Sequence, residues 1–135
     1  MLKIKSEEFT FNAKQVDCIG FLSDLNNYKN LFPKDKVKNW KSKENYCEFN
    51  LQNAYTLEII KESVNENIVF LKSGRKSPFS FKIKIEVNEK SNNICSAYIE
   101  SEANVSSILK KIIGKPLNEL FNHMASKIEA SISKD

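Results

Sequence analysis

From Phe79 to Val87 the chain alternates apolar and polar residues without a break, reading Phe-Ser-Phe-Lys-Ile-Lys-Ile-Glu-Val. No other segment constrains the fold as strongly. Successive side chains of a strand point to opposite faces, so Phe79, Phe81, Ile83, Ile85 and Val87 share one face while Lys82, Lys84 and Glu86 meet water. Cys47, Phe49 and Leu51 stand in the same relation to Tyr46, Glu48 and Asn50. Cys95, Ala97 and Ile99 oppose Ser96, Tyr98 and Glu100, and Ser101 continues their inward phase. The result is a sheet with one apolar face, and that face must be covered.

Six such runs are predicted as strands: Val37 to Lys41, Tyr46 to Leu51, Tyr55 to Val64, Ile68 to Lys72, Phe79 to Val87 and Ile94 to Glu102. Between them lie Ser42–Asn45, Gln52–Ala54, Asn65–Asn67, Ser73–Pro78 and Lys90–Asn93, all rich in turn-forming residues. Connections this short join antiparallel neighbours, because parallel pairing needs a long crossover. A seventh strand is expected over Leu2 to Phe11. Its apolar phase switches between Ile4 and Phe9, which places a bulge or bend near Ser6-Glu7-Glu8.

Two short helices should follow that first strand. Asn12 with Gln15 has the spacing of a capping box, and Val16, Ile19, Phe21, Leu22 and Leu25 give the first helix an apolar face. The second, a short helix or turn over Tyr28 to Phe32, ends before Pro33. The cover for the sheet is a long helix over Ser106 to Lys134. Ile108, Leu109, Ile112 and Ile113 form one stripe on it, and Leu117, Leu120, Phe121, Met124, Ile128 and Ile132 a second. At about 100° per residue the two stripes differ by roughly a quarter turn, with Gly114 and Pro116 at the seam, so a kink or break is expected there.

Composition excludes several functions. At 135 residues, 41% of them hydrophobic, the chain is predicted to form one domain over residues 1–135. No window approaches the run of about 18 apolar residues that a membrane span needs, and the N-terminus alternates where a signal segment would be uniformly apolar. A soluble, cytoplasmic protein is expected. Three widely separated cysteines and a single histidine make a zinc site untenable, so Cys18, Cys47 and Cys95 read as buried thiols in a reducing compartment. The net charge is +4, yet only Arg75 among 21 basic residues is arginine, and the lysines are scattered among acids. No nucleic-acid partner is expected.

The stretch Val16 to Trp40, with Phe21-Leu22-Ser23-Asp24, Asn27-Tyr28, Leu31, Pro33 and Trp40, resembles the segment that follows the first strand in START-like, Bet v 1-like helix-grip proteins. Lys76-Ser77-Pro78-Phe79 and Lys115-Pro116-Leu117 resemble small bacterial, polyketide cyclase-like members of that superfamily. The likeness spans essentially the whole chain. It implies an α+β helix-grip fold, a curved seven-stranded antiparallel sheet wrapped around a long C-terminal helix. It also implies a cavity between the two for a lipid, sterol-like, polyketide or aromatic ligand. The expected lining is Phe49, Leu57, Leu71, Phe81, Ile83, Ala97, Leu117, Phe121 and Met124, with Tyr28 and Trp40 at the mouth. A solid core would use the same residue types.

No catalytic residue is assigned. On the helical wheel His123 lies about 120° from the second apolar stripe and is expected to face solvent. An enzyme of the cyclase kind would need polar groups converging in the cavity, such as Ser101 with Glu58 or Tyr55, and Glu58 or Glu62 turns inward only if their strand carries a bulge. The leading expectation is therefore a binding module for an apolar small molecule, with no cofactor or metal, existing as a monomer or weak dimer. A cyclase-like enzyme and a protein-interaction module are the alternatives.

Overall fold

The fold is described from a computed structural model covering residues 1–51 and 55–133. The strands are β1 (Leu2–Lys5), β2 (Phe9–Asn12), β3 (Val37–Lys43), β4 (Tyr46–Leu51), β5 (Tyr55–Val64), β6 (Ile68–Ser73), β7 (Ser80–Ser91) and β8 (Ile94–Asn104). Helix α1 (Gln15–Leu22) and a 3₁₀ turn (Leu25–Asn30) follow β2, and α2 (Ser107–Ser126) and α3 (Ile128–Ser133) close the chain. The architecture is α+β, a curved antiparallel sheet with the long helix against its apolar face. The expected turn Gln52–Ala54 and the end of the last helix at Lys134 lie outside the described residues.

The sheet runs β1-β8-β7-β6-β5-β4-β3, and β2 also pairs with β8. Among the described residues it has eight strands where seven were expected, because the bend at Ser6–Glu8 divides the first strand in two. Ser6 holds that division together. Its N–H donates to the Ile99 carbonyl at 2.8 Å, and its Oγ accepts from the Ile99 N–H at 2.8 Å, taking the place of a ladder carbonyl. Residues on either side of the bend then both pair with β8, in registers Ile4↔Ser101 and Phe9↔Ala97. The outer face is laced by lysine–glutamate contacts, among them Lys84 Nζ to Glu100 at 3.1 Å and to Glu86 at 3.6 Å. Exposed pairs of this kind add little stability.

Local details depart from the sequence reading. Asn12 does not cap α1, because it is drawn into β2 opposite Ile94, and Lys14 occupies the cap position without a side-chain bond. Gln15 reaches across to the Val87 carbonyl instead, at 2.9 Å. Val16 faces solvent, while Cys18, Ile19 and Leu22 carry the buried side of α1. The carbonyl of Ser23, just past the end of α1, receives Lys61 Nζ from β5 at 2.8 Å.

Helix α2 begins where Ser106 accepts from the Leu109 N–H at 3.1 Å, a side-chain cap. It is continuous through Gly114 and Pro116, so of the expected kink or break the break is absent. The carbonyl left without a donor by Pro116 is that of Ile112, on the solvent side, where water can replace the lost bond. The interruption falls at Lys127 instead. The first apolar stripe is also divided. Ile113 is buried and Leu109 half-buried, whereas Ile108 and Ile112 are 75% and 64% exposed. Here α2 rests on β1, the edge of the sheet, which covers only one side of the helix.

Candidate functional site

The inward phases of β4, β5, β7 and β8 meet α2 at an apolar cavity. Phe49, Leu57, Ile59, Phe81, Ile83, Ser101 and Ala103 line it from the sheet, Leu117, Leu120 and Phe121 from α2, and Phe32 and Phe79 from loops. The cross-strand registers Phe81↔Ala103 and Ile83↔Ser101 set four of these side by side. The cavity volume is about 20 Å³. That is room for roughly one water molecule, and far below the ~300–1,000 Å³ of an ordinary ligand pocket.

Six of the residues expected from the sequence are in this wall: Phe49, Leu57, Phe81, Ile83, Leu117 and Phe121. Five are not. Tyr28 is wholly buried in the 3₁₀ turn and donates its hydroxyl hydrogen bond to the Leu22 carbonyl at 2.7 Å, so it closes no mouth. Trp40 stacks on Phe49 with ring centroids 5.6 Å apart and donates from Nε1 to Ser42 Oγ at 3.0 Å, which turns it toward the β3 edge. Ala97 and Met124 are buried outside this wall, and Leu71, also buried, borders a separate hollow with Ile83 and Lys84.

Phe32, Ile59, Phe79, Leu120 and Ala103 join the lining without having been singled out. Leu120 was in the right helical stripe, and Ile59 is in phase with Leu57, so both carried a periodic signal. Phe79 carried the period-two signal of its predicted strand, although β7 begins only at Ser80, and Phe32 lies past the end of the 3₁₀ turn, where no period applies. At one rim Phe79 packs against Tyr55 and Phe81, at 6.2 and 5.8 Å between ring centroids.

Ser101 supplies the polar side chain of the wall. It is 5% exposed, and its hydroxyl makes no side-chain hydrogen bond among the described residues, although its oxygen is not wholly shut off as Ser96 Oγ is. Glu58 does not join it. The β5 irregularity falls between Lys61 and Ser63, so Glu58 stays in the outward phase, against Gly74 and within 3.4 Å of the Lys76 N–H. Tyr55 remains at the rim. Burial raises its phenol, as it raises Cys47, which is pushed up to about 12. Cys18 is also pushed up to about 12, by burial first and then by nearby Cys95. None of these thiols is activated.

His123 is half-buried and borders a surface hollow with Pro33, Asp35 and Lys36. Burial lowers its pKa, and Lys127 lowers it further. It is not among the residues lining the apolar cavity.

With the sheet, the crossing helix and the cavity described, the likeness to known structures is specific. A point mutant of norcoclaurine synthase from Thalictrum flavum, solved with a transition-state analogue, superposes with a TM-score of 0.75 at 13% identity, over 98% of this chain and 94% of that one. The chain has the Bet v 1-like, START-type helix-grip fold. A START superfamily protein from Mycobacterium smegmatis matches with a TM-score of 0.70 at 11% identity over 99% of both chains. A protein from Thermus thermophilus matches at 0.75 and 12% identity, over 98% of this chain and 97% of its own. No protein-family model and no curated protein matches the sequence. At these identities it is the helix-grip fold that is shared.

Proposed function

We propose that this helix-grip chain binds a small ligand with an apolar body and a single hydrogen-bonding group, held between the sheet and α2. The observation that carries this reading is the cavity wall, aromatic and aliphatic throughout except for the unpartnered Ser101 hydroxyl. A buried hydroxyl without a partner costs free energy, and a ligand oxygen or nitrogen beside it would recover that cost. With one polar wall group there is no second residue to share a proton, which supports binding over cyclase-like chemistry.

At 20 Å³ the described state is closed. Ligand entry therefore requires side chains to move, and Phe79 at the rim is the one least held, being half-buried and outside any strand. The test is displacement of a fluorescent anilinonaphthalene or fatty-acid probe, with native mass spectrometry to count bound molecules. Phe79→Ala should raise probe affinity by opening the rim. Absence of binding by both the native chain and Phe79→Ala would overturn the proposal.

A further inference from the structure

The exposed side of α2 near its N-terminus carries two isoleucines that no packing requirement explains. Ile108 and Ile112 are 75% and 64% exposed, the two most exposed isoleucines of the chain's apolar set. Lys111 and Lys115 share their face. At about 100° per residue, the four positions fall within an arc of roughly 100°, directed away from buried Ile113 and Leu117. The spacing i, i+3, i+4, i+7 makes one ridge of alternating apolar and cationic side chains.

Charge on this ridge is uncompensated. None of the ion pairs among the described residues involves Lys111 or Lys115. No carboxylate occurs in the sequence between Glu102 and Glu119, and the first turn of α2 holds no acidic residue. The N-terminal end of a helix favours acids, so local helix stability does not account for lysines here. Exposed isoleucines among lysines are the composition of a surface that meets an anionic, partly apolar partner.

We infer that this ridge docks the protein on an anionic lipid surface, with Ile108 and Ile112 entering the headgroup boundary and Lys111 and Lys115 meeting the lipid phosphates. The contact is peripheral, since no helix among the described residues is long and apolar enough to cross a membrane. A second copy of the chain fits less well. A stable dimer buries about 800 Å² from each partner, and two isoleucines on one ridge supply only part of that. A lipid surface asks only for a few apolar side chains with basic neighbours. The inference does not depend on the apolar cavity being a ligand site.

Co-sedimentation with phosphatidylcholine vesicles, with and without about one-third phosphatidylglycerol, tests it. Binding is expected to the anionic vesicles alone and to weaken with added salt. Lys111→Gln and Lys115→Gln should each lower partitioning roughly fivefold, and the double variant Ile108→Ser, Ile112→Ser should abolish it. These positions are exposed, so the melting temperature and circular dichroism should stay near those of the native chain. Equal binding to neutral vesicles, no binding to anionic ones, or binding untouched by the substitutions would each overturn the inference. So would concentration-dependent dimerisation, lost in the isoleucine variant, without vesicle binding.

Discussion

Replacing Ser101 by alanine should make the protein more stable and a poorer binder. The hydroxyl is 5% exposed, faces a cavity of about 20 Å³ and has no partner among the described residues. A water there would need two or more polar neighbours to be held, and the side chains of the wall provide one. Full burial of an unsatisfied hydroxyl costs about 1–3 kcal/mol, so Ser101→Ala should gain about 1 kcal/mol at most, because the Ser101 oxygen, unlike that of Ser96, is not wholly shut off. For a domain of this size that is a rise in melting temperature of roughly 3–5 °C. Urea and thermal denaturation followed by circular dichroism measure it. The same variant should bind an apolar probe carrying one hydroxyl about tenfold more weakly, with no change for the hydrocarbon analogue. Ser96→Ala is the control, since Ser96 Oγ is the fully buried side-chain oxygen without a partner among the described residues and lies outside the cavity wall. It should gain comparable stability and leave binding untouched. Loss of 1 kcal/mol or more in Ser101→Ala would show that the hydroxyl is already satisfied, and the argument for its role would fail.

A methyl group added at Gly74 would run into the Glu58 carboxylate, so Gly74→Ala should cost about 1 kcal/mol by overpacking, and a double-mutant cycle with Glu58→Ala should recover most of it. Additive effects would refute the contact. Cys18 and Cys47, buried and pushed up to about 12, should resist iodoacetamide at pH 8 in the native protein and react fully in urea. Rapid native labelling of either thiol would contradict their placement. Because burial lowers the His123 pKa below its usual 6.5, the unfolded chain binds more protons just beneath that value. Stability should therefore fall as pH drops from 6.5 toward the lowered folded value, and His123→Gln should flatten that slope in urea titrations. An unchanged slope would rule out His123 as its source.

Strand existence was legible because a half-buried sheet imposes a period of two that no other structure shares, and β4 and β5 have the bounds that alternation predicted. What failed were signals whose competitors lie far away in sequence. The Asn12 capping box lost to pairing with Ile94, and the Gly114–Pro116 break lost to a helix whose solvent side tolerates a missing bond. Ile108 and Ile112 read as core because apolar periodicity records what a helix face is made of, not what lies opposite it. That distinction turned an expected core stripe into the exposed ridge of α2.

The cavity itself illustrates why pocket and core cannot be separated by residue type. Phe32, Phe49, Phe79, Phe81 and Phe121 converge on it, and the ring centroids of Phe32 and Phe49 are only 4.6 Å apart. Rings that line a pocket also fill it when nothing is bound. A ligand must therefore compete with the protein's own side chains, and its apparent affinity is its intrinsic affinity reduced by the fraction of molecules that are open. An open population of about 1% weakens binding roughly a hundredfold. Substitutions at the rim, such as Phe79→Ala, should consequently act on affinity mainly through opening, because Phe79 forms only one edge of the wall, whereas Ser101→Ala acts through a contact and leaves the opening equilibrium alone. Measured together, the two effects should multiply. If they do not, opening and recognition are a single event and Ser101 belongs to the latch.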